Sequence, residues 1–536
     1  MDADAEMQAL AKELFDWYVA RNPFFATEMG LHQHDREVPD GTREFQLEEL
    51  AGLERFGERA EAIPAEDLSP AQRTDRAVFL HQVRLWTFQG NVLRFWEQRP
   101  DGPDDVGGGL FGLFLRDFAP IGERMDSITA RFEKFPRFLE QMRTRTVDPV
   151  RRWVELAVES GTRLPGFFHV ITAAGKETGY GHQGGLEEAA AKTAEALARY
   201  VTWSRDLLPR SRDVTGIGEE NFRKLLELRE LPLSMEEIYE LGWWYIHESK
   251  LQLARIAPRI RTGASIEEAK ALVKGDHPKT SEEAREFTAK AMRDAAEFLR
   301  KKSLVTFPPN EALKVVETPS FIRHLIPFAA FAPPGRFEKV QQGIYLVTPA
   351  EQEEMLREHN FASTVNTAVH EAYPGHHLQL VCANTNPSLV RVLAHAVETV
   401  EGWAHYCEDM MRREGFYSDP KIEFTQVLDQ LWRACRIVID IDLHRRKMTF
   451  DEAVDFLVRE TGMERPGALA EVNRYTSNPA YQLSYLIGRH LITGLREDAR
   501  AKRGPGFTDR DFNDAILYAG SIPYKYLRED VLAKFA

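Results

Sequence analysis

Cysteine is scarce in this chain: Cys382, Cys407 and Cys435 are the only three among 536 residues. An odd number cannot close into a complete disulfide set, and none has the C-x-x-C spacing, so neither a disulfide framework nor a structural zinc knuckle is expected. Long apolar runs are also missing. No stretch reaches the roughly 18 apolar residues that a membrane-spanning helix needs. The opening Met1-Asp2-Ala3-Asp4-Ala5-Glu6 has neither the basic segment nor the apolar core of a secretory signal, which makes the cytoplasm the expected location. Positive charge is in deficit: 69 Lys and Arg stand against 83 Asp and Glu, a formal net charge of −14. With no basic stripe interleaved with aromatics, nucleic acid is not an expected partner. Gly107-Gly108-Gly109-Leu110-Phe111-Gly112 lacks the Lys-Ser/Thr of a phosphate-binding loop, which leaves a flexible loop as its expected role. Internal repeats and low-complexity linkers are absent, so any lobes should pack together instead of hanging on a tether.

What the chain has is helical pattern and ample apolar material, 43% of its residues. Ser234-x-x-Glu237, Ser265-x-x-Glu268, Thr280-x-x-Glu283 and Thr449-x-x-Glu452 each precede an apolar-periodic stretch and read as capping boxes. Residues 304–348 break this pattern with short apolar runs at 304–309, 314–317, 328–331 and 343–347, set apart by Pro and Gly. These read as strands of a small sheet, with Tyr345 a candidate substrate contact. The expected architecture is mainly α with one small sheet. Its expected organisation is an N-terminal helical lobe, 1–303, and a second lobe, 304–536, forming one compact unit.

Chemistry concentrates at His370-Glu371-Ala372-Tyr373-Pro374-Gly375-His376-His377. In an H-E-x-x-H helix the two histidines lie about 6 Å apart along one face and bind zinc, with the Glu as general base. Here Pro374 occupies the place of the second histidine, and a straight helix cannot run through it. A kink or bulge that absorbs two residues would return His376 to the place of an i+4 ligand. His377, seven residues on, would lie about 10 Å along the axis of an unbroken helix. His376 is therefore the expected second ligand, with His377 as its rival or as a supporting group.

A catalytic zinc with two His needs a third protein ligand and an open position. Val400-Glu401-Gly402-Trp403-Ala404-His405-Tyr406-Cys407-Glu408 supplies Glu401, 25 residues past His376, and Glu408 seven residues later on nearly the same helix face. Glu401 is the expected ligand and Glu408 the expected support for one of the histidines. The apolar neighbours argue against two solvated surface carboxylates. His405 could face either way, and His395 reads as structural.

The motifs H-E-A-Y-P-G-H-H at 370–377, V-E-G-W-A-H-Y-C-E at 400–408, R-A-C-R-I-V-I-D-I-D-L-H at 433–444 and R-Y-T-S-N-P-A-Y-Q-L-S-Y-L-I-G at 474–488 resemble the bacterial domain-of-unknown-function 885 family. Weaker similarity runs from Asn22-Pro23-Phe24-Phe25-Ala26-Thr27 through Thr318-Pro319. That family in turn resembles gluzincin metallopeptidases such as thimet oligopeptidase, carboxypeptidase Taq and angiotensin-converting enzyme. Pro374 with its two extra residues departs from those peptidases, and Asp442 stands where the 885 family often has Gly.

The resemblance implies a two-lobed helical fold with a deep cleft, a sheet beside the metal helix, and one Zn²⁺ per chain held by His370, His376 and Glu401. It implies that Tyr485 and Tyr481, on a late helix, serve as donors to the reacting oxyanion, with Arg474 and Tyr475 binding substrate. It also places Arg436, Asp440 and His444 beside the metal. His444 is then a candidate for proton transfer, although an intrahelical charge ladder explains the same i, i+4, i+8 spacing. The implied activity is hydrolysis of a peptide or peptide-like small molecule by a metal-activated water, with Glu371 as base. A non-catalytic helical binding protein that has lost the metal, and a metal-dependent amidohydrolase acting on a non-peptide metabolite, are the other two readings.

Overall fold

A computed structural model describes residues 2–318, 326, 328–350 and 353–536; Pro319, named above, lies outside them. The fold is mainly helical with one three-stranded sheet. The chain forms two compact units, Met1–Val214 with Gly335–Lys339, and Thr215–Pro334 with Val340–Ala536.

In the first unit, helices α1 (Gly102–Leu115) and α3 (Gln183–Leu207) both pack against α2 (Ile121–Met142). Helix α2 buries Phe132, Phe135, Phe138 and Leu139 on one side, the three-to-four-residue spacing of an apolar helix stripe. Its buried Arg131 donates to Thr27 Oγ1 at 2.6 Å, which gives the charge a polar partner away from water. The glycine-rich segment expected as a loop is part of α1. Pro103 at the start and Asp104 and Asp105 in the first turn are helix-initiating residues that outweigh the glycines behind them.

The second unit carries α4 (Met235–Ile260), α5 (Ser281–Lys302), α6 (Phe361–Glu371), α7 (His376–Ala383), α8 (Val397–Arg413), α9 (Pro420–His444), α10 (Arg465–Ser477) and α11 (Ser484–Arg503). The boundary expected after residue 303 falls inside this unit. Helix α4 lies along α9, tied by Gln430 Nε2 to Ser249 Oγ at 2.9 Å and Tyr239 Oη to Asp442 Oδ2 at 2.7 Å. The charge at Asp442, unusual for the resembling family, is thus met by a tyrosine hydroxyl. Capping boxes form at Ser234, Ser265 and Thr449. Thr280 caps the backbone of Glu283, whose side chain turns instead to the N–H of Lys279 at 2.7 Å.

Three of the four apolar runs are strands: β1 (Glu311–Glu317), β2 (Ala329–Ala332) and β3 (Gln341–Val347), in the order β1-β3-β2. Strand β3 runs parallel to β1, pairing Glu311 with Gln341, and antiparallel to β2, pairing Ala329 with Val347. As the central strand it buries Tyr345, Leu346 and Val347. The run at 304–309 is not a strand. Leu304 and Val305 are buried, but Pro308 and Pro309 cannot donate to a ladder.

Helices α8 and α11 meet backbone to backbone at Gly402 and Gly488. A β-carbon on Gly488 would lie 2.0 Å from the Glu398 carbonyl oxygen and 2.7 Å from Gly402 Cα, so nothing larger fits. Gly488→Ala should therefore destabilise the chain by about 1–3 kcal/mol or more, the cost of overpacking. Gly494→Ala, on the same helix with open space around it, should be neutral or stabilising by up to about 1 kcal/mol. Urea unfolding checks the pair, and equal midpoints would contradict this packing.

Candidate metal centre

Helix α6 begins at the Asn360 cap, whose side chain accepts from the Ser363 N–H at 2.9 Å. It stops at Glu371. Over the next residues Tyr373 N–H returns to the Ala368 carbonyl at 3.1 Å and Gly375 N–H to that of Val369 at 3.0 Å, so the chain folds back tightly against the helix it has left. The Tyr373–Pro374 peptide is cis. A β-carbon on Gly375 would sit 1.7 Å from the His370 carbonyl oxygen, so only glycine permits this return. From α8, the Trp403 indole N–H donates to the Pro374 carbonyl at 2.8 Å, which fastens the break to the helix that carries Glu401. Helix α7 then starts at His376.

The break brings the rings of His370 and His376 to 4.8 Å, nearly perpendicular at 88°. Nε2 of His376 lies 3.3 Å from Glu401 Oε2, and Nε2 of His370 lies 3.9 Å from the same atom. Glu371 converges as well: it and the two histidines offer ligand atoms within 4.8 Å of one another. Four groups thus meet, and either carboxylate could complete a set of three with the histidines. Two atoms bound to one tetrahedral zinc at about 2.0–2.1 Å stand roughly 3.3 Å apart, a spacing that suits Glu401. Glu371 instead faces a cavity that it shares with Tyr345.

The surroundings orient these groups. Nδ1 of His370 lies 2.7 Å from Glu408 Oε1, which leaves Nε2 as the nitrogen turned toward Glu401. Burial opposes a charge on Glu408, yet Arg433, His405 and His370 hold its carboxyl well below the usual range. Arg433 Nη2 approaches to 3.6 Å and Asn366 Nδ2 to 3.3 Å. Tyr481 donates to Glu401 Oε1 at 2.6 Å. Burial likewise works against the Glu401 charge, but His376, His370 and Tyr481 together keep the group well below its ordinary range. Burial, then Glu401, push the Tyr481 hydroxyl upward, so it stays a donor. Tyr485 packs 5.9 Å from the Tyr481 ring and 4.7 Å from the Arg436 guanidinium, centroid to cation. Burial and Glu401 raise its hydroxyl too.

Other expected site residues lie elsewhere. Tyr475, expected to bind substrate, is fully buried, and its hydroxyl accepts from Arg436 Nε at 2.9 Å and Trp432 Nε1 at 3.3 Å. It is a core residue whose polar tip is satisfied. Arg474 is exposed and pairs with Glu471 at 3.1 Å, and Arg436 binds that same carboxylate at 2.9 Å. His444, expected beside the metal, is fully buried with Nε2 at 3.0 Å from the Tyr475 carbonyl, and its ring stacks on Phe222. It shares the face of α9 that carries Arg433 and Asp440, with Asp440 Oδ1 3.5 Å from its Nε2, but stands about 16 Å further along the helix axis than Arg433. Asp440 does act on the site, at one remove: it accepts the N–H groups of Ala480 and Leu483, each at 3.1 Å, and so braces the turn that presents Tyr481. Burial pushes its carboxyl up to about 7.

His377 is fully buried with Nε2 at 2.8 Å from Glu311 Oε1, on β1; the Tyr373 hydroxyl donates to the same carboxylate. Glu311 is a residue that sequence reasoning missed. It stands 66 positions before His377 and belongs to no motif. Arg433 was also missed as a site residue, although it opens one of the quoted motifs.

His405 and Glu408 are both fully buried, with His405 Nδ1 3.3 Å from Glu408 Oε2. Burial outweighs the pull of Glu408 and lowers the imidazole to about 3. Below its ordinary value of about 6.5, the unfolded chain takes up a proton that the folded chain refuses, so stability falls with pH from about 6.5 toward 3. Between pH 7.5 and 5.5, wild type should lose on the order of 1 kcal/mol more than His405→Gln in urea unfolding. Parallel losses would contradict a buried neutral imidazole.

No curated protein matches this sequence. Solved structures share its fold, among them the two that follow. A "putative lipoprotein of unknown function" from Shewanella oneidensis is 22% identical, with a TM-score of 0.79 over 97% of this chain and 98% of its own. A "putative lipoprotein" from Colwellia psychrerythraea is 19% identical, with a TM-score of 0.87 over 100% of this chain and 99% of its own. From residue 23 to residue 531 the sequence matches the bacterial proteins of unknown function called DUF885, and with nearly its whole length covered the chain belongs to that family.

Proposed function

We propose that this chain is a zinc-dependent hydrolase of peptide or peptide-like amide bonds, built on a gluzincin-like variant of the helical fold. One observation carries the reading: the His370 and His376 ring nitrogens converge on one oxygen of Glu401, at 3.9 and 3.3 Å, near the roughly 3.3 Å that separates two ligands of a single tetrahedral zinc. When bound there, zinc would supply a water acidified to a pKa of about 7 and a polarised substrate carbonyl. The protein's own groups divide the remaining work. Glu408 fixes the tautomer of His370 so that Nε2 is its ligand atom, and Tyr481 holds one Glu401 oxygen and leaves the other to the metal. Glu371, half-buried beside both histidines, accepts the proton of the attacking water and returns it to the departing amine. Tyr485 is the proposed donor to the oxyanion. The outer edge of β2, which has no partner strand among the described residues, can hold an extended peptide by main-chain hydrogen bonds.

Cys382, Cys407 and Cys435 are all free and buried, which supports a reducing, cytoplasmic location. Among the described residues no helix is long and apolar enough to cross a membrane. The lipoprotein names of the two structural relatives favour a membrane-anchored location instead, and fractionation of producing cells distinguishes the two.

A peptide-library digest with the zinc-loaded chain tests the activity. Cleavage that stops with a chelator and returns with zinc is the expected result. A library left intact by stoichiometrically loaded protein would favour the non-peptide amidohydrolase, and a chain that takes up no metal would favour the binding protein.

A further inference from the structure

Helix α6 carries Ser363, Thr367 and Glu371 at successive steps of four, all half-buried. Residues so spaced lie on one face of a helix, and this face lines a cavity of about 220 Å³. The opposite wall is apolar and comes from the sheet side: Phe328, Ala329 and Val347, with Tyr345 beside Glu371. Two further hydroxyls at the cavity, Thr288 and Thr364, are directed to the backbone carbonyls of Ala284 and His359, at 2.8 and 3.3 Å. Ser363 and Thr367 therefore set the polarity of the helix side. Phe328, at 43% exposure, leaves apolar surface uncovered.

We propose that this cavity is the pocket for one substrate side chain next to the bond that is cut, and that it selects an uncharged side chain of aromatic size. The proposal rests on the hydrolase reading and adds its specificity. Glu371 joins the two places, since it stands with the two histidines and also lines the cavity. A volume of about 220 Å³ has room for one large side chain. The apolar wall suits a ring or branched chain, and the hydroxyl stripe opposite suits a phenol or a ring edge.

Charge sets the exclusions. Among the described residues that line the cavity, Glu358 and Glu371 are the acidic ones and none is Lys or Arg, so an acidic side chain is repelled. Glu358 already faces Lys274 Nζ at 3.5 Å. A cationic side chain would pair with Glu371 and occupy the carboxylate that the reaction needs as its base.

The test has one arm that needs no turnover. p-Cresol, butylammonium and propionate mimic the side chains of Tyr, Lys and Glu, and their binding to the zinc-loaded chain is followed by saturation-transfer NMR. Ser363→Phe fills the cavity while keeping the Ser363 backbone N–H that the Asn360 cap uses; Thr367→Leu is a second filling variant. We expect saturable binding of p-cresol to wild type, its loss in Ser363→Phe, and unchanged zinc content and melting temperature. Equal p-cresol signals in wild type and both variants, or stronger binding of either charged mimic, would overturn the pocket.

In the second arm, the same proteins digest peptides differing at one position. Phe or Tyr beside the cut should be favoured about tenfold or more over Glu and Lys, and Ser363→Phe should abolish that preference while retaining cleavage next to Ala. Cleavage without side-chain preference would refute the pocket and leave the hydrolase standing. p-Cresol binding that Ser363→Phe abolishes, with no peptide cut, would do the reverse.

Discussion

Glu371→Gln is expected to lower turnover by about 10²-fold or more, the contribution typical of a positioned general base, with zinc content and melting temperature unchanged. Glutamine has the size of glutamate and can occupy the same place between the histidines and Tyr345, but it cannot take up the proton of the attacking water. The variant also separates the two metal arrangements that the cluster allows. His370, Glu371 and His376 lie within 4.8 Å of one another, so a metal held by those three would be lost along with the Glu371 carboxylate. Retention of zinc with lost turnover makes Glu371 the base and Glu401 the ligand. Loss of zinc would make Glu371 a ligand, and undiminished turnover would move the base elsewhere.

The second large effect lies between adjacent histidines. His376→Ala should abolish zinc retention, because its Nε2 faces Glu401 at 3.3 Å and His370 from across the break. His377→Ala should keep most of the zinc affinity. The His377 ring turns to the opposite side, where Nε2 meets Glu311 at 2.8 Å, and Tyr373 donates to that same carboxylate. The loss for His377→Ala is one of stability, about 1–3 kcal/mol for a buried polar group stripped of one partner. A metal titration and a melting curve on each variant give the comparison. Zinc lost in His377→Ala and kept in His376→Ala would exchange the two assignments.

The parts of this molecule that were legible in sequence are those where chemistry is local. Capping boxes at Ser234, Ser265 and Thr449 involve residues three apart, and the break at Pro374 follows from a ring with no N–H to donate. The pairing of Glu408 with His370 could be anticipated because the seven-residue step from Glu401 keeps both on one face. Helical spacing does not say which neighbour a face meets: Tyr475, expected at the substrate, is fully buried against Arg436, and His444 is fully buried between the Tyr475 carbonyl and Asp440. Strand register was equally hidden. The parallel pairing of Glu311 with Gln341 depends on a crossover that no local pattern encodes. Glu311 was invisible for that reason, since only the sheet brings it to His377. The boundary after residue 303 was set where the helical pattern ends, whereas the side chains of α4 belong with α9.

The most direct measurement is anomalous diffraction at the zinc absorption edge from crystals of protein purified without chelator. The account predicts one strong peak per chain, about 2.0–2.2 Å from His370 Nε2, His376 Nε2 and a Glu401 oxygen, with Glu371 and His377 outside that distance. Full-occupancy zinc elsewhere, or no peak in protein reconstituted with excess zinc, would contradict it.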